Sequence, residues 1–135
     1  MEVIRHFTTA KLNDPFGGVE LSFELKYYRT DPLAVAMVFG QKGYDTVEWQ
    51  VSRDMLRAGL EDCVGIGDVN FWPIRKPGKT QLSMMFHSDE TATAQLIADA
   101  DEVKTFLDAT ERLVPFGEEE ELVMAGFDDW LEDHR

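Results

Sequence analysis

The chain has 135 residues, 44% of them apolar and 29% charged, and its 26 acids against 13 lysines and arginines give a net charge of −13. That size and composition describe one globular domain, residues 1–135, able to bury a core without a metal, and the single cysteine, Cys63, excludes an internal disulfide scaffold. The acidic balance argues against nucleic-acid binding, which draws on a basic footprint; the opening Met-Glu-Val-Ile-Arg-His-Phe lacks the plan of a signal peptide and no apolar run approaches a membrane span, so a cytoplasmic location without membrane insertion is expected.

The first half reads as strands. Val3 to Leu12 precedes a turn at Asp14-Pro15-Phe16-Gly17-Gly18. From Val19 the chain alternates, with Val19, Leu21, Phe23, Leu25 and Tyr27 on one face and Glu20, Ser22, Glu24 and Lys26 on the other, the period of a half-buried antiparallel strand. Thr30-Asp31-Pro32 is a second turn, Ala34 to Phe39 is apolar on both faces as a central strand is, and Thr46 to Val51 alternates again with Val47, Trp49 and Val51 inward.

The period then changes. Ser52 suits the N-cap of a short helix, with Asp54 at the positive end of its dipole and Met55, Leu56 and Leu60 along one side. Gly59, Gly65 and Gly67 end that helix and turn the chain. Asp68 to Ile74 is the next strand, stopped near Pro73 and Pro77; Thr80 to His87 and Thr93 to Ala98 follow. Asp99 and Glu102 have capping-box spacing, and Val103, Phe106, Leu107, Thr110, Leu113 and Val114 keep helical spacing until Pro115 and Gly117. Residues 117–135 read as an acidic C-terminal helix that carries seven of the net negative charges, with Val123, Phe127, Trp130 and Leu131 as its apolar face. The expected fold class is α+β: an antiparallel sheet of about seven strands, one short inserted helix and two C-terminal helices.

Candidate chemistry is sparse. Gly65-Ile66-Gly67-Asp68 lacks the third glycine of a dinucleotide loop, Asn70 standing there, and leads into a strand, so it reads as a turn. His6, His87 and His134 show no ligand spacing, and Cys63 has no cysteine partner. His87 with Asp89 reads as a strand-end histidine beside a turn, Cys63 as a small half-buried residue, and the serines fit no nucleophile elbow. No enzyme, cofactor or metal is expected. Trp49 shares the inward register of Val47 and Val51. Trp72 lies in a strand apolar on both sides and faces either a second layer or another subunit. The acidic, aromatic C-terminal helix either docks on its own domain or fits a groove on a partner.

The runs Thr30-Asp31-Pro32-Leu33-Ala34-Val35, Val47-Glu48-Trp49 through Arg53-Asp54-Met55-Leu56-Arg57-Ala58-Gly59-Leu60, and Val64-Gly65-Ile66-Gly67-Asp68-Val69-Asn70-Phe71-Trp72-Pro73 resemble the SsgA-like sporulation and cell-division regulators of actinomycetes. Phe106-Leu107 with Val114-Pro115 and Gly117, and the acidic end from Phe127 to Leu131, extend the resemblance over about Glu20 to Arg135. The first 18 residues depart from the pattern, as do Met37 and Met84-Met85-Phe86. The resemblance implies a curved, whirly-like antiparallel sheet, a homotrimer, and a non-enzymatic adaptor of sporulation-specific division. Such an adaptor binds and positions divisome proteins, the tubulin-like GTPase FtsZ and other SsgA-like proteins among them, at septa. Because whirly proteins bind single-stranded nucleic acid, that activity is the alternative. The residues expected at a partner or subunit interface are Trp72, Phe127, Trp130, Leu131, Glu118 and Glu119.

Overall fold

The computed structural model describes residues 3–15, 17–88 and 93–133, and the backbone alone of 125–130 and 133. Eight strands form one antiparallel sheet: β1 (Val3–Leu12), β2 (Val19–Tyr28), β3 (Ala34–Gly40), β4 (Val47–Ser52), β5 (Val64–Ile66), β6 (Val69–Lys76), β7 (Lys79–His87) and β8 (Thr93–Asp99). Helix α1 (Arg53–Gly59) lies between β4 and β5, and α2 (Ala100–Leu113) and α3 (Glu119–Asp133) follow β8. The spatial order β4-β3-β2-β1-β8-β7-β6-β5 makes two four-stranded meanders, which meet where β1 pairs β8 over Ala10–Leu12 alone.

The sheet curls around its aromatic side chains. Trp49 on β4 and Phe86 on β7 are separated by four strands, so a flat sheet would hold them about 24 Å apart. Their ring centroids are 4.9 Å apart. Phe23 stacks on Phe39 at 4.7 Å, and Phe39 and Phe71 meet Phe86 edge-on, so one aromatic cluster spans both meanders and holds the half-barrel closed. The alternation of β2 places Phe23, Leu25 and Tyr27 fully inside, and Leu82, Met84 and Phe86 do the same from β7. Helices α1 and α2 cover one end of the concave face with Leu56, Val103, Phe106 and Leu107.

The helix starts follow their caps. The Ser52 hydroxyl accepts the Met55 N–H at 3.2 Å, and the Asp99 carboxylate accepts the Asp101 N–H at 2.8 Å. The capping box is only half realised, because the Glu102 carboxylate lies 2.5 Å from His6 Nε2 on β1. The sheet has eight strands where the sequence suggested about seven. The extra one is β5, three residues of a glycine-bearing hairpin that turns at Gly67 with φ of +60°, too short to show a period. β6 also runs through Pro73 to Lys76. Its pairing with β5 ends at Phe71, so Pro73 occupies a stretch with a neighbour on one side only, where a missing N–H is tolerated.

Candidate partner-binding site

The corner where α2 passes to α3 is organised by Arg53, the first residue of α1. A cation there opposes the helix dipole, yet the side chain is 1% exposed. Its guanidinium stands 4.8 Å from the Tyr27 ring centroid and 4.7 Å from that of Phe116, between two aromatic faces. Nη1 donates at the end of α2 to the Val114 carbonyl at 2.7 Å and to the Thr110 carbonyl at 3.3 Å, which also accepts the Val114 N–H. Nη2 donates to the carboxylate of Glu119, the first residue of α3. One buried side chain thus ties three helices together.

Glu119 is itself buried. Burial alone would raise its pKa, but the hydrogen bonds from Arg53, from its own N–H and from the Gly117 N–H at 2.8 Å outweigh that, and the carboxyl is held below its ordinary value. Burial also pushes the Tyr27 phenol up to about 12, against the opposing pull of Arg53, so it stays neutral and donates to the Pro32 carbonyl at 2.8 Å. A second, more exposed lattice flanks the clasp: Arg57 bonds Asp108 at 3.0 Å and Glu111 at 2.7 Å, and Lys104 bonds Asp108. Hydrogen bonds from Lys104 and Arg57 lower the Asp108 pKa.

Beyond this anchor the described side chains of α3 turn largely to solvent. Leu122 still packs against the core, but Val123 is 42% exposed, Met124 56% and Leu131 37%. Glu118, Glu120, Glu121 and Glu132 are exposed beside them, so the described side chains of α3 present apolar and acidic groups together to solvent. A second apolar surface lies on the outer face of the β5–β8 meander. Trp72 stands opposite Ser83 and Ser83 opposite Ile97, with Ile74 and Met85 on neighbouring pairs of the same face, and all four apolar residues are partly exposed.

A family model described as "Streptomyces sporulation and cell division protein, SsgA" matches residues 21–119. The chain belongs to the SsgA family. A sporulation-specific cell division protein SsgB of Streptomyces coelicolor is 39% identical over 95 residues, covering 70% of this chain and 69% of the relative. Two solved structures share the fold. One comes from work on mutations in SsgB that correlate to longitudinal cell division during sporulation of S. coelicolor; its TM-score is 0.82 with 30% identity, over 89% of this chain and 94% of that one. The other is an SsgA-like sporulation-specific cell division protein from Thermobifida fusca, with a TM-score of 0.87 and 27% identity over 98% and 96% of the two chains. The family is one of sporulation and cell-division proteins and not a known enzyme family.

Within that family frame the structure separates the residues singled out in the sequence. Trp72 lies on the outer sheet face; Glu118, Glu119 and Leu131 belong to the α3 region; the side chains of Phe127 and Trp130 lie outside the described residues. Of the glutamate pair, Glu118 faces solvent and Glu119 is engaged inside the chain. Cys63, expected half-buried, is exposed beside Trp72 and Pro73. His87 bonds the Thr93 hydroxyl at 2.9 Å, and Asp89 lies outside the described residues. Trp49 packs on the aromatic core as its register suggests, but Val47 is 54% exposed, because β4 starts beyond the reach of the helices. Sequence reasoning missed the Arg53 clasp. Its one signal was a basic residue directly after an N-cap, at the helix end that disfavours it.

Proposed function

We propose that this chain is a non-enzymatic adaptor of sporulation-specific division that binds divisome proteins, FtsZ among them, and helps to position them at septa. The observation that carries the reading is the 39% identity to SsgB of S. coelicolor over 95 residues, 70% of this chain. The geometry supplies a means. α3 is fixed at its first turn and exposes Val123, Met124 and Leu131 beyond it, which suits a helical ligand for a groove on another protein. In this reading Leu131, Phe127, Trp130 and Glu118 make the contact, and Glu119 holds the helix at its angle through Arg53. Trp72 and its neighbours on the outer sheet face serve a second contact, between copies of this chain in a homotrimer or with another SsgA-like protein. The adaptor acts from the cytoplasm; no helix of the described residues is long and apolar enough to cross a membrane.

Co-sedimentation with polymerised FtsZ tests the reading. The intact chain is expected in the pellet with the polymer, and a Leu131→Asp, Val123→Asp variant is expected largely in the supernatant. Intact chain left in the supernatant across a range of salt would remove FtsZ as the direct partner.

A further inference from the structure

Among the described residues, helices stopper the half-barrel at one end. α1 and α2 cover the end where β2 finishes and β3 begins. At the other end, where β1, β3 and β7 finish and β2, β4 and β8 start, a hollow of about 430 Å3 opens into the core. Its floor is Phe39, Phe86 and Leu96, each at most 5% exposed, and its walls are Leu12, Leu21 and Trp49. Val47 forms the lip, and among the described lining residues the polar side-chain groups are the Ser88 and Thr93 hydroxyls and the Trp49 indole N–H. None of the ten lining residues is charged, in a chain where 29% of residues are, so chance would place about three there.

We propose that this mouth binds a small, neutral, mainly hydrocarbon or aromatic molecule, with its one hydrogen-bonding end at Ser88 and Thr93. The volume lies within the range of small-molecule sites. The floor is a set of ring edges and faces already in contact, Trp49 with Phe86 at 4.9 Å and Phe39 with Phe86 at 5.7 Å, onto which one more apolar group stacks. A charged ligand would meet no opposite charge among the described lining residues. The Thr93 hydroxyl already meets His87 Nδ1 and keeps a free lone pair. The site is independent of α3 and of the outer sheet face, so it stands or falls apart from the division-partner reading.

The test is titration of the full chain with N-phenyl-1-naphthylamine, a neutral fluorescent probe, in wild type and in Ala94→Trp. Ala94 lies in the lining opposite Phe86, and a tryptophan there fills the hollow. Trp72→Ala, on the outer face, is the control for loose adsorption to exposed apolar surface. Wild type and Trp72→Ala are expected to give saturable, one-per-chain enhancement, at least tenfold weaker in Ala94→Trp. If Ala94→Trp does not melt as wild type does, Val47→Asp at the exposed lip replaces it with the same expectation. Unsaturable enhancement, equal binding by the filled variant, or loss of binding in Trp72→Ala alone overturns the proposal. So does probe affinity that falls as protein concentration rises, since a second copy then covers the mouth.

Discussion

Arg53 shows how one residue can serve the fold against its local preference. Its cost at the first turn of α1 is offset by two aromatic faces, two helix-end carbonyls and the Glu119 carboxylate. Removing one partner of a buried pair leaves the other charged and unsolvated, so Arg53→Ala should lose about 3–5 kcal/mol in urea unfolding. Arg53→Lys should recover only part of it, because a lysine cannot fork between the carbonyls and the carboxylate. The same pair sets a pH limit. Glu119 and Asp108 have pKa values lowered in the folded state, so their contribution is present above the ordinary carboxylate range and lost as pH falls through the depressed values. The urea midpoint should decline between about pH 5 and pH 3, and Glu119→Gln should flatten that decline; an acid limb unchanged by Glu119→Gln would move the cause elsewhere. None of this was legible from sequence beyond a misplaced basic residue, because Arg53 and Glu119 stand 66 positions apart and only the fold joins them.

At the level of elements, periodicity served well wherever one face is buried. The alternation of β2 and the helical spacing of α2 gave the inward residues correctly, since Phe23, Leu25, Tyr27, Val103 and Phe106 are all in the core. It failed where burial does not alternate: β5 is too short, and β6 continues through Pro73 because its neighbour on one side has ended. Gly59 was read as a helix stop, but it is the last residue of α1, and its value is room. A Cβ there would lie 2.5 Å from the Phe71 Cβ, with both elements packed. Gly59→Ala should therefore destabilise by about 1–3 kcal/mol, although alanine is the better helix former; a gain in melting temperature would mean that α1 shifts freely over β6. α3 gives a sharper contrast. A chain ended after Met124 keeps Glu119 and Leu122, and should melt within about 4 °C of the full chain. A chain ended after Phe116 strands Arg53, and should melt roughly 10–20 °C lower. Equal melting of the two truncations would show that the ion pair does not anchor the domain.

At the scale of the molecule, a short seam joins two meanders, and the aromatic cluster closes what the backbone pairing does not. β1 pairs β2 over ten residues but β8 over three, while Trp49 and Phe86 meet across the concave face. In the proposed reading the outer face and α3 make the contacts with other chains, and charge decides how such contacts respond to salt. Each chain carries −13, so like copies repel over distances of about 10 Å at 0.1 M salt and farther when salt is lower. If copies join through the apolar row around Trp72, the attractive part is insensitive to salt and only the repulsion is screened. Self-association measured by sedimentation velocity should then strengthen between about 20 and 150 mM salt, and Trp72→Asp should abolish it. Binding to a partner through the acidic face of α3 should show the opposite trend if that partner offers lysines and arginines, because screening then removes attraction. The two surfaces can thus be told apart in one chain by the sign of the salt response. Self-association that weakens with salt would instead place oppositely charged groups at the contact between copies and move it away from Trp72.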